Sequence, residues 1–243
     1  DGSASNHTIT ANGNVTQGSF GPFARPDGEW GVSFDGSGDY LTLPNTLTRF
    51  TIANKDSQAA TFEAFVFVKA YTANGSHDYF NSSIYVKGNI YLNFSISPEG
   101  YVDFYHYDGS VRFLSTSVAV PLNTWTHVAA TIAGGVTKIY IDGVLRATGT
   151  WYGIHADGQT GVPRIGLGAA SGSVALNAVV SNLRLVEGTA VYTGNFTPPT
   201  AKLTAVTNTK LLTCQSNRFV DNSDDGLAVT PSGNPAVTAF GPF

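Results

Sequence analysis

Apolar and polar residues alternate along much of the chain, which is the period expected of half-buried β-strands. Pairs such as Asp35-Gly36, Asp108-Gly109 and Asp142-Gly143 stand between the alternating segments, and Asp-Gly favours tight hairpin turns because both residues tolerate positive φ. No stretch of ten residues has a helical period. The pattern therefore predicts an antiparallel β-sandwich of jelly-roll type. The alternation is clearest over residues 31–43, 61–70, 83–96, 101–107, 111–114, 125–133, 137–141, 164–168 and 179–186.

Composition narrows the class of protein. The 243 residues are 42% hydrophobic, enough for a full core, but only 12% are charged, about half the usual fraction. Thr, Ser, Asn and Gly must cover the surface, which is typical of extracellular and virion β proteins. The net charge is −4 without a basic block, so nucleic-acid binding is not expected. No apolar run approaches the ~18 residues of a membrane span.

The two ends of the chain repeat each other. Residues 221–243 align with residues 1–23 without a gap, nine of the 23 positions are identical, and both copies end in Phe-Gly-Pro-Phe. One interpretation is a pseudo-symmetric pair of strands within one domain. The other is one period of a longer array, in which only the second copy is preceded by a strand, at 210–215. The first copy would then leave an open sheet edge that accepts a strand from elsewhere.

The repeat suggests two parts of the chain. Residues 1–200 are expected to form the sandwich, and residues 201–243 a C-terminal extension that serves as a module junction or donates a strand. Residues 195–206 are expected to form an extended connector, pinned at its start by Phe196. If the extension instead folds back onto its own sandwich, the missing strand is filled internally. The candidate assembly residues are Leu211, Leu212, Cys214, Phe219, Phe240 and Phe243.

Three segments carry a family resemblance. They are FDGSGDYL at 34–41, WTHVA at 125–129 with KIYIDG at 138–143, and IG at 165–166 leading to VSNLRL at 180–185. In this order they resemble the concanavalin A-like superfamily and, within it, the laminin G-like modules. The ending, at 186–199 and 211–221, resembles the tandem laminin G-like repeats of marine phage structural and tail-fibre proteins. The resemblance implies an extracellular or virion component.

An enzyme is not expected. Glucanases of this superfamily carry a Glu-x-Asp-x-Glu strand, since retaining hydrolysis needs an acid and a nucleophile about 5 Å apart on one face. The chain has no such strand, and the segment 101–104 supplies a single carboxylate, Asp103. It also lacks a Gly-x-Ser-x-Gly elbow and a pair of histidines with zinc spacing.

The resemblance also implies a structural calcium ion near the opening loop. Asp35 and Asp39 would supply carboxylates from a Gly-rich turn, and Asn182 stands where relatives often have Asp. Calcium takes six to eight oxygen ligands, so one charge fewer would weaken its binding. The alternative is that Asp35 and Asp39 cap a turn.

A glycan-binding face is the remaining candidate. Alternation over residues 101–107 puts Tyr101, Asp103, Tyr105 and Tyr107 on one side of a strand, with Trp151 and Tyr152 further along the chain. Flat aromatic rings beside carboxylates suit the apolar faces and hydroxyl edges of a pyranose. The alternative is that tyrosines simply occupy exposed strand positions, where their propensity is high.

Two functions are therefore carried forward. The first is a non-enzymatic structural module of a virion fibre or extracellular filament, which assembles head to tail with neighbouring copies of itself through the C-terminal segment. The second is a lectin-like adhesion module that binds cell-surface polysaccharide. Both are compatible with one tail fibre.

Overall fold

The computed structural model describes residues 29–45, 58–72, 82–88, 91–154, 161–168 and 174–243. Strands and turns make up these ranges. None of them forms a helix with the length and apolar character needed to cross a membrane. The strands are β1 (Gly31–Asp35), β2 (Tyr40–Thr42), β3 (Ala60–Ala70), β4 (Ser82–Lys87), β5 (Leu92–Ile96), β6 (Tyr101–Tyr107), β7 (Val111–Ala119), β8 (Trp125–Ala133), β9 (Val136–Ile141), β10 (Val144–Thr150), β11 (Arg164–Ile165), β12 (Asn177–Glu187), β13 (Thr209–Thr213), β14 (Thr230–Ser232) and β15 (Ala236–Thr238).

The strands form two antiparallel sheets. The larger sheet has the order β10-β9-β8-β3-β12-β1-β15, with β13 also paired to β12, and the smaller has the order β14-β2-β11-β4-β5-β6-β7. One hydrophobic core lies between them, where Phe62 of β3 packs 5.3 Å from Phe104 of β6, centroid to centroid. The predicted all-β sandwich is confirmed.

The outer face of the larger sheet carries a buried polar cluster. Glu63 of β3 accepts hydrogen bonds from His127 Nε2 (3.1 Å), Arg184 Nη2 (2.6 Å) and Tyr192 Oη (2.8 Å), and its side chain is fully buried. We call these four residues the Glu63 cluster. Burial opposes the charged carboxylate most strongly, but the His127 hydrogen bond and the Arg184 charge outweigh it and hold the pKa of Glu63 below its ordinary value.

The segment after β12 covers this cluster. Phe196 stacks 3.6 Å from Tyr192 and packs against Tyr140 and His127, while Arg184 Nη1 donates to the Thr204 carbonyl. The expectation that Phe196 pins the connector to the sandwich is confirmed.

The C-terminal extension lies on its own sandwich. β13 pairs with β12, β14 with β2 and β15 with β1, so residues 201–243 supply strands to both sheets. The candidate assembly residues Leu211, Leu212 and Cys214 are buried in that sandwich. Leu211 pairs with Leu185 on β12 of the same chain, which is the arrangement of the cis alternative. Docking of these residues onto a neighbouring copy stays a prediction.

The last aromatic residues of the extension lie on the outer face of the larger sheet. Phe240 packs against Phe67 and Trp125, and Phe243 against Phe65. Phe219 is half-buried against the core. The sequence repeat at residues 1–23 lies outside the described residues.

The predicted calcium ligands do not meet. Asp35 pairs with Asn177 on β12, and Asn182 lies five residues further along that strand, roughly 16 Å away. The Asn182 amide oxygen instead accepts a hydrogen bond from Leu203 N (2.9 Å). The predicted set of Asp35, Asp39 and Asn182 is therefore wrong as one site. In the described ranges, no three His, Cys, Asp or Glu residues are grouped to hold a metal.

The two aspartates of the opening turn act as caps. Asp35 Oδ1 accepts from Ser37 N (2.7 Å), as in an Asx turn. Asp39 accepts from Asp35 N (3.3 Å) and, across the sandwich edge, from Asn234 N (2.8 Å). The capping alternative thus accounts for these contacts, and a calcium ion at this turn stays a prediction.

Candidate functional site

A cleft lies where the two sheets end side by side. β7 is the edge of the smaller sheet and β10 the edge of the larger one. The two strands approach each other closely at Gly149, where a Cβ would lie 3.1 Å from Leu114 Cδ1. The cleft has a volume of about 350 Å³. We call it the His106 cleft. Its lining includes Phe104, His106, Arg112, Phe113, Thr137 and Tyr152.

Strand alternation and one hairpin turn place these side chains. Phe104 and His106 are two residues apart on β6 and therefore share its inward face. The turn at Asp108-Gly109 then brings β7 back so that Arg112 pairs with His106. Asp108 holds this turn, because its carboxylate accepts from Ser110 N (2.9 Å) and from Arg112 Nε (3.1 Å).

Four side chains pack in series from the core outwards to the rim of the cleft. Trp151 follows β10 and lies 4.4 Å from the His106 ring, centroid to centroid. Tyr152 stacks near-parallel to His106 at 6.3 Å, and the Arg112 guanidinium carbon lies 4.0 Å from the Tyr152 ring centroid. This distance fits a cation–π contact. Arg112 is therefore held from two sides, by Asp108 and by Tyr152.

His106 is neutral at physiological pH. Burial lowers its pKa to about 4, a shift that the Asp108 charge opposes and the Arg112 charge reinforces. Its Nε2 accepts a hydrogen bond from Tyr152 N (3.3 Å), so the ring proton resides on Nδ1. The imidazole thus carries an N–H donor rather than a positive charge.

The wall of the cleft has unused hydrogen-bonding capacity. His106 Nδ1 and Thr137 Oγ1 are buried and have no hydrogen-bond partner among the described residues. The same holds for Trp151 Nε1, whose ring packs against His106 from the core side. A buried polar atom left unpaired costs about 1–3 kcal/mol. A water or a ligand hydroxyl that bonded to one of these atoms would relieve part of that cost.

The rim of the cleft is apolar and exposed. Val111, Phe113 and Tyr152 are 57%, 44% and 43% exposed. Exposed aromatic surface beside an Arg–carboxylate pair makes this rim a candidate for ligand recognition. None of the residues that line the cleft is a carboxylate, so the pair of acids that glycoside hydrolysis uses is not found in its wall.

The predicted glycan face is only partly accessible. Val102 and Phe104 lie in the core, which confirms that Tyr101, Asp103, Tyr105 and Tyr107 share the opposite side of β6. However, Asp103 and Tyr105 are 0% and 1% exposed, because this second side of the strand is buried as well. The expectation of an open aromatic face over Tyr101–Tyr107 is therefore wrong at its centre, and only Tyr101 and Tyr107 at the strand ends are partly exposed.

Trp151 also differs from its prediction. It is fully buried in the core, with Phe104 at 6.2 Å, and supports the cleft from below instead of contacting a ligand. Its neighbour Tyr152 is the exposed ring. Sequence reasoning missed His106 and Arg112. One signal in the sequence could have identified His106. It is a titratable residue on the same side of the strand as the core residues Val102 and Phe104.

Comparisons with known proteins agree with this fold. A laminin G family model, described as the concanavalin A-like lectin/glucanases superfamily, matches residues 35–191, which is more than half of the chain. No curated protein matches the sequence.

Solved structures give further likenesses. A Bacteroides ovatus protein, described as a candidate carbohydrate binding protein, superposes with a TM-score of 0.64 at 18% identity, over 88% of this chain and 61% of its own length. The chain thus spans less than two thirds of that relative. Weaker likenesses include a pentraxin of Limulus polyphemus (TM-score 0.47, 15% identity, 86% of this chain and 98% of that one). Another is a pair of mouse laminin α1 domains (TM-score 0.45, 14% identity, 64% of this chain and 40% of that one).

Proposed function

The chain belongs to the concanavalin A-like lectin/glucanases superfamily, and on that basis we propose that it is a non-catalytic carbohydrate-binding module. The ligand site is the His106 cleft. We place the protein outside the cell, in keeping with a sequence that has few charged residues and is rich in Thr, Ser and Asn.

The observation that carries the proposal is the arrangement of Arg112, Tyr152 and His106. Tyr152 and Phe113 offer aromatic surface to the C–H face of a sugar ring. The Arg112 guanidinium, held by Asp108 and by Tyr152, directs its remaining N–H groups to hydroxyl oxygens. A cleft of about 350 Å³ lies at the small end of ligand pockets, which favours recognition of one sugar unit or a chain end.

Two further points support this reading of the cleft. The B. ovatus protein with the same fold is itself described as a candidate carbohydrate binder. In addition, a neutral His106 and an Arg112 whose charge is balanced by Asp108 suit an uncharged ligand. We therefore place neutral sugars ahead of acidic ones. A place for this module in a virion fibre stays a prediction.

The test is a glycan array with the wild-type protein, followed by calorimetric titration of the best ligand. Tyr152→Ala removes the exposed ring and the support of Arg112, so we expect the dissociation constant to rise at least about tenfold, or about 1.4 kcal/mol. Measured affinities of the two proteins check this.

A matched control is available at the other end of the smaller sheet. Tyr40 on β2 also carries an arginine over its ring, with Arg164 at 5.0 Å. Tyr40→Ala removes the same kind of pair and should leave affinity unchanged. Either an array without any hit or equal affinity losses in the two variants would refute the cleft as the binding site.

A further inference from the structure

We propose that residues 1–23 are a closing segment for a second copy of this sandwich. Residues 221–243 close the edge of their own sandwich formed by β1 and β2, which we call the β1–β2 edge. Residues 1–23 have the same residue at nine of the 23 positions, including the cap, the corner glycine and the final aromatic residues. This edge lies at the opposite end of both sheets from the His106 cleft, so the inference is independent of carbohydrate binding.

The closing segment begins at a buried cap. Asp221 accepts hydrogen bonds from Leu212 N, Ser223 N and Leu227 N, at 2.9, 2.9 and 3.0 Å. Ser223 Oγ donates to the same carboxylate (2.8 Å). The two residues at the corresponding positions of the head copy are Asp1 and Ser3.

Next comes the corner by which the segment passes from one sheet to the other. β14 pairs with β2 and β15 with β1, and the Gly233-Asn234 turn joins them. Gly233 has φ +74°, and a Cβ there would lie 2.7 Å from Asp39 Oδ1, while Asn234 N donates to that same oxygen. The position therefore requires glycine, and the head copy has Gly13 followed by Asn14.

The segment ends on aromatic contacts. Phe240 packs 4.8 Å from Phe67 and 5.3 Å from Trp125, and Phe243 lies 5.1 Å from Phe65. Between them, Gly241 approaches the backbone so closely that a Cβ would lie 2.4 Å from the Glu29 carbonyl carbon. The head copy ends in the same four residues, Phe-Gly-Pro-Phe, at 20–23.

Six of the nine identical positions make a contact through the side chain or leave no room for a Cβ, namely Asp221, Ser223, Gly233, Phe240, Gly241 and Phe243. Of the two residues of the segment that pack against the core, Val229 corresponds to Ile9 and Leu227 to His7. The strand between Gly233 and Phe240 differs, with Thr-Gln-Gly at 16–18 where β15 has Ala-Val-Thr. Strand addition at a sheet edge relies on backbone hydrogen bonds and tolerates such changes. Residues 1–23 therefore meet the requirements of the β1–β2 edge.

The partner is a second sandwich because this one is already closed. β13 is paired in place and leads within eight residues to Asp221, so the tethered segment has a high effective concentration at its own edge. A head segment finds its match on another copy whose own closing segment is absent or displaced.

The first experiment replaces residues 221–243 of the full chain with a second copy of residues 1–23. We expect this chimera to fold and to keep Cys214, the only cysteine, protected from a thiol reagent to within about tenfold of wild type. A matched chimera with a scrambled 1–23 sequence should react at least about a hundredfold faster. If the two chimeras react alike, whether both protected or both open, the inference is overturned.

The second experiment tests the contact between copies. Phe240→Ala with Phe243→Ala in the full chain weakens the closing segment, and we expect concentration-dependent self-association in sedimentation velocity. Adding Phe20→Ala and Phe23→Ala should abolish it. A tail variant that stays monomeric, or one whose association persists without Phe20 and Phe23, would overturn the proposal.

Discussion

Glu63→Ala is expected to lower the free energy of unfolding by about 3–5 kcal/mol, because it leaves a buried charge without its partner. Arg184 is bound to Glu63 through Nε (2.9 Å) and Nη2 (2.6 Å) and is itself buried. His127 and Tyr192 lose an acceptor in the same step. Urea denaturation of the two proteins measures the difference.

A surface ion pair provides the control. Lys210 and Asp225 lie 3.8 Å apart with partly exposed side chains, and such a pair contributes at most about 1 kcal/mol. Asp225→Ala should therefore have little effect. A loss below about 1 kcal/mol in Glu63→Ala would show that the Glu63 cluster does not hold the outer face of the sheet.

The same carboxylate gives stability a pH dependence. The pKa of Glu63 is held below its ordinary 4.5 in the folded chain. Near and below pH 4.5 the unfolded chain therefore binds more protons than the folded chain. Its contribution is complete above the ordinary carboxyl pKa and is lost as the pH falls below it. Wild type should lose more stability than Glu63→Gln on acidification from neutral pH to about pH 3.

The second large effect is expected from Asp221→Ala. Three backbone N–H groups and one hydroxyl lose their acceptor. Leaving such buried donors unpaired costs about 1–3 kcal/mol each, so we expect a loss of about 3 kcal/mol after partial rehydration. Thermal unfolding measures it.

Cys214 reports whether the loss comes from opening of the C-terminal segment. Its thiol is buried, which raises its pKa to about 12 and makes it unreactive. Asp221→Ala should react faster with a thiol reagent than wild type, whereas Asp224→Ala at an exposed neighbouring position should not. Equal labelling rates in all three proteins would contradict the claim that the Asp221 carboxylate holds the C-terminal segment in place.

The sequence pattern predicts most central strands correctly. The limits of β6 and β8 agree with the alternating segments, because one or both faces of these strands are apolar. β10 was missed. It is an edge strand whose two faces differ little in burial, because half-buried and exposed positions alternate along it. β14 and β15 have three residues each, too few to show a period.

The site was harder to predict, for a physical reason. Alternation shows which residues share a face of β6, but not that the second face is also buried, as it is at Asp103 and Tyr105. The His106 cleft depends on β7 and β10 meeting as edges of different sheets. No local period encodes that contact. Likewise, the family resemblance implies calcium at Asp35 and Asp39, but the sequence does not show that the Asp39 carboxylate accepts a hydrogen bond from Asn234 N, 195 residues away.

Chemical-shift mapping tests the carbohydrate-binding cleft most directly. The isotope-labelled chain would be titrated with the best ligand of the array while backbone amide and imidazole signals are followed. Our account predicts shifts at Val111, Arg112 and Tyr152 and at the His106 ring, with the β1–β2 edge unchanged. Shifts confined to the outer face around Tyr101 or to the tail, with the His106 ring unperturbed at saturation, would contradict it.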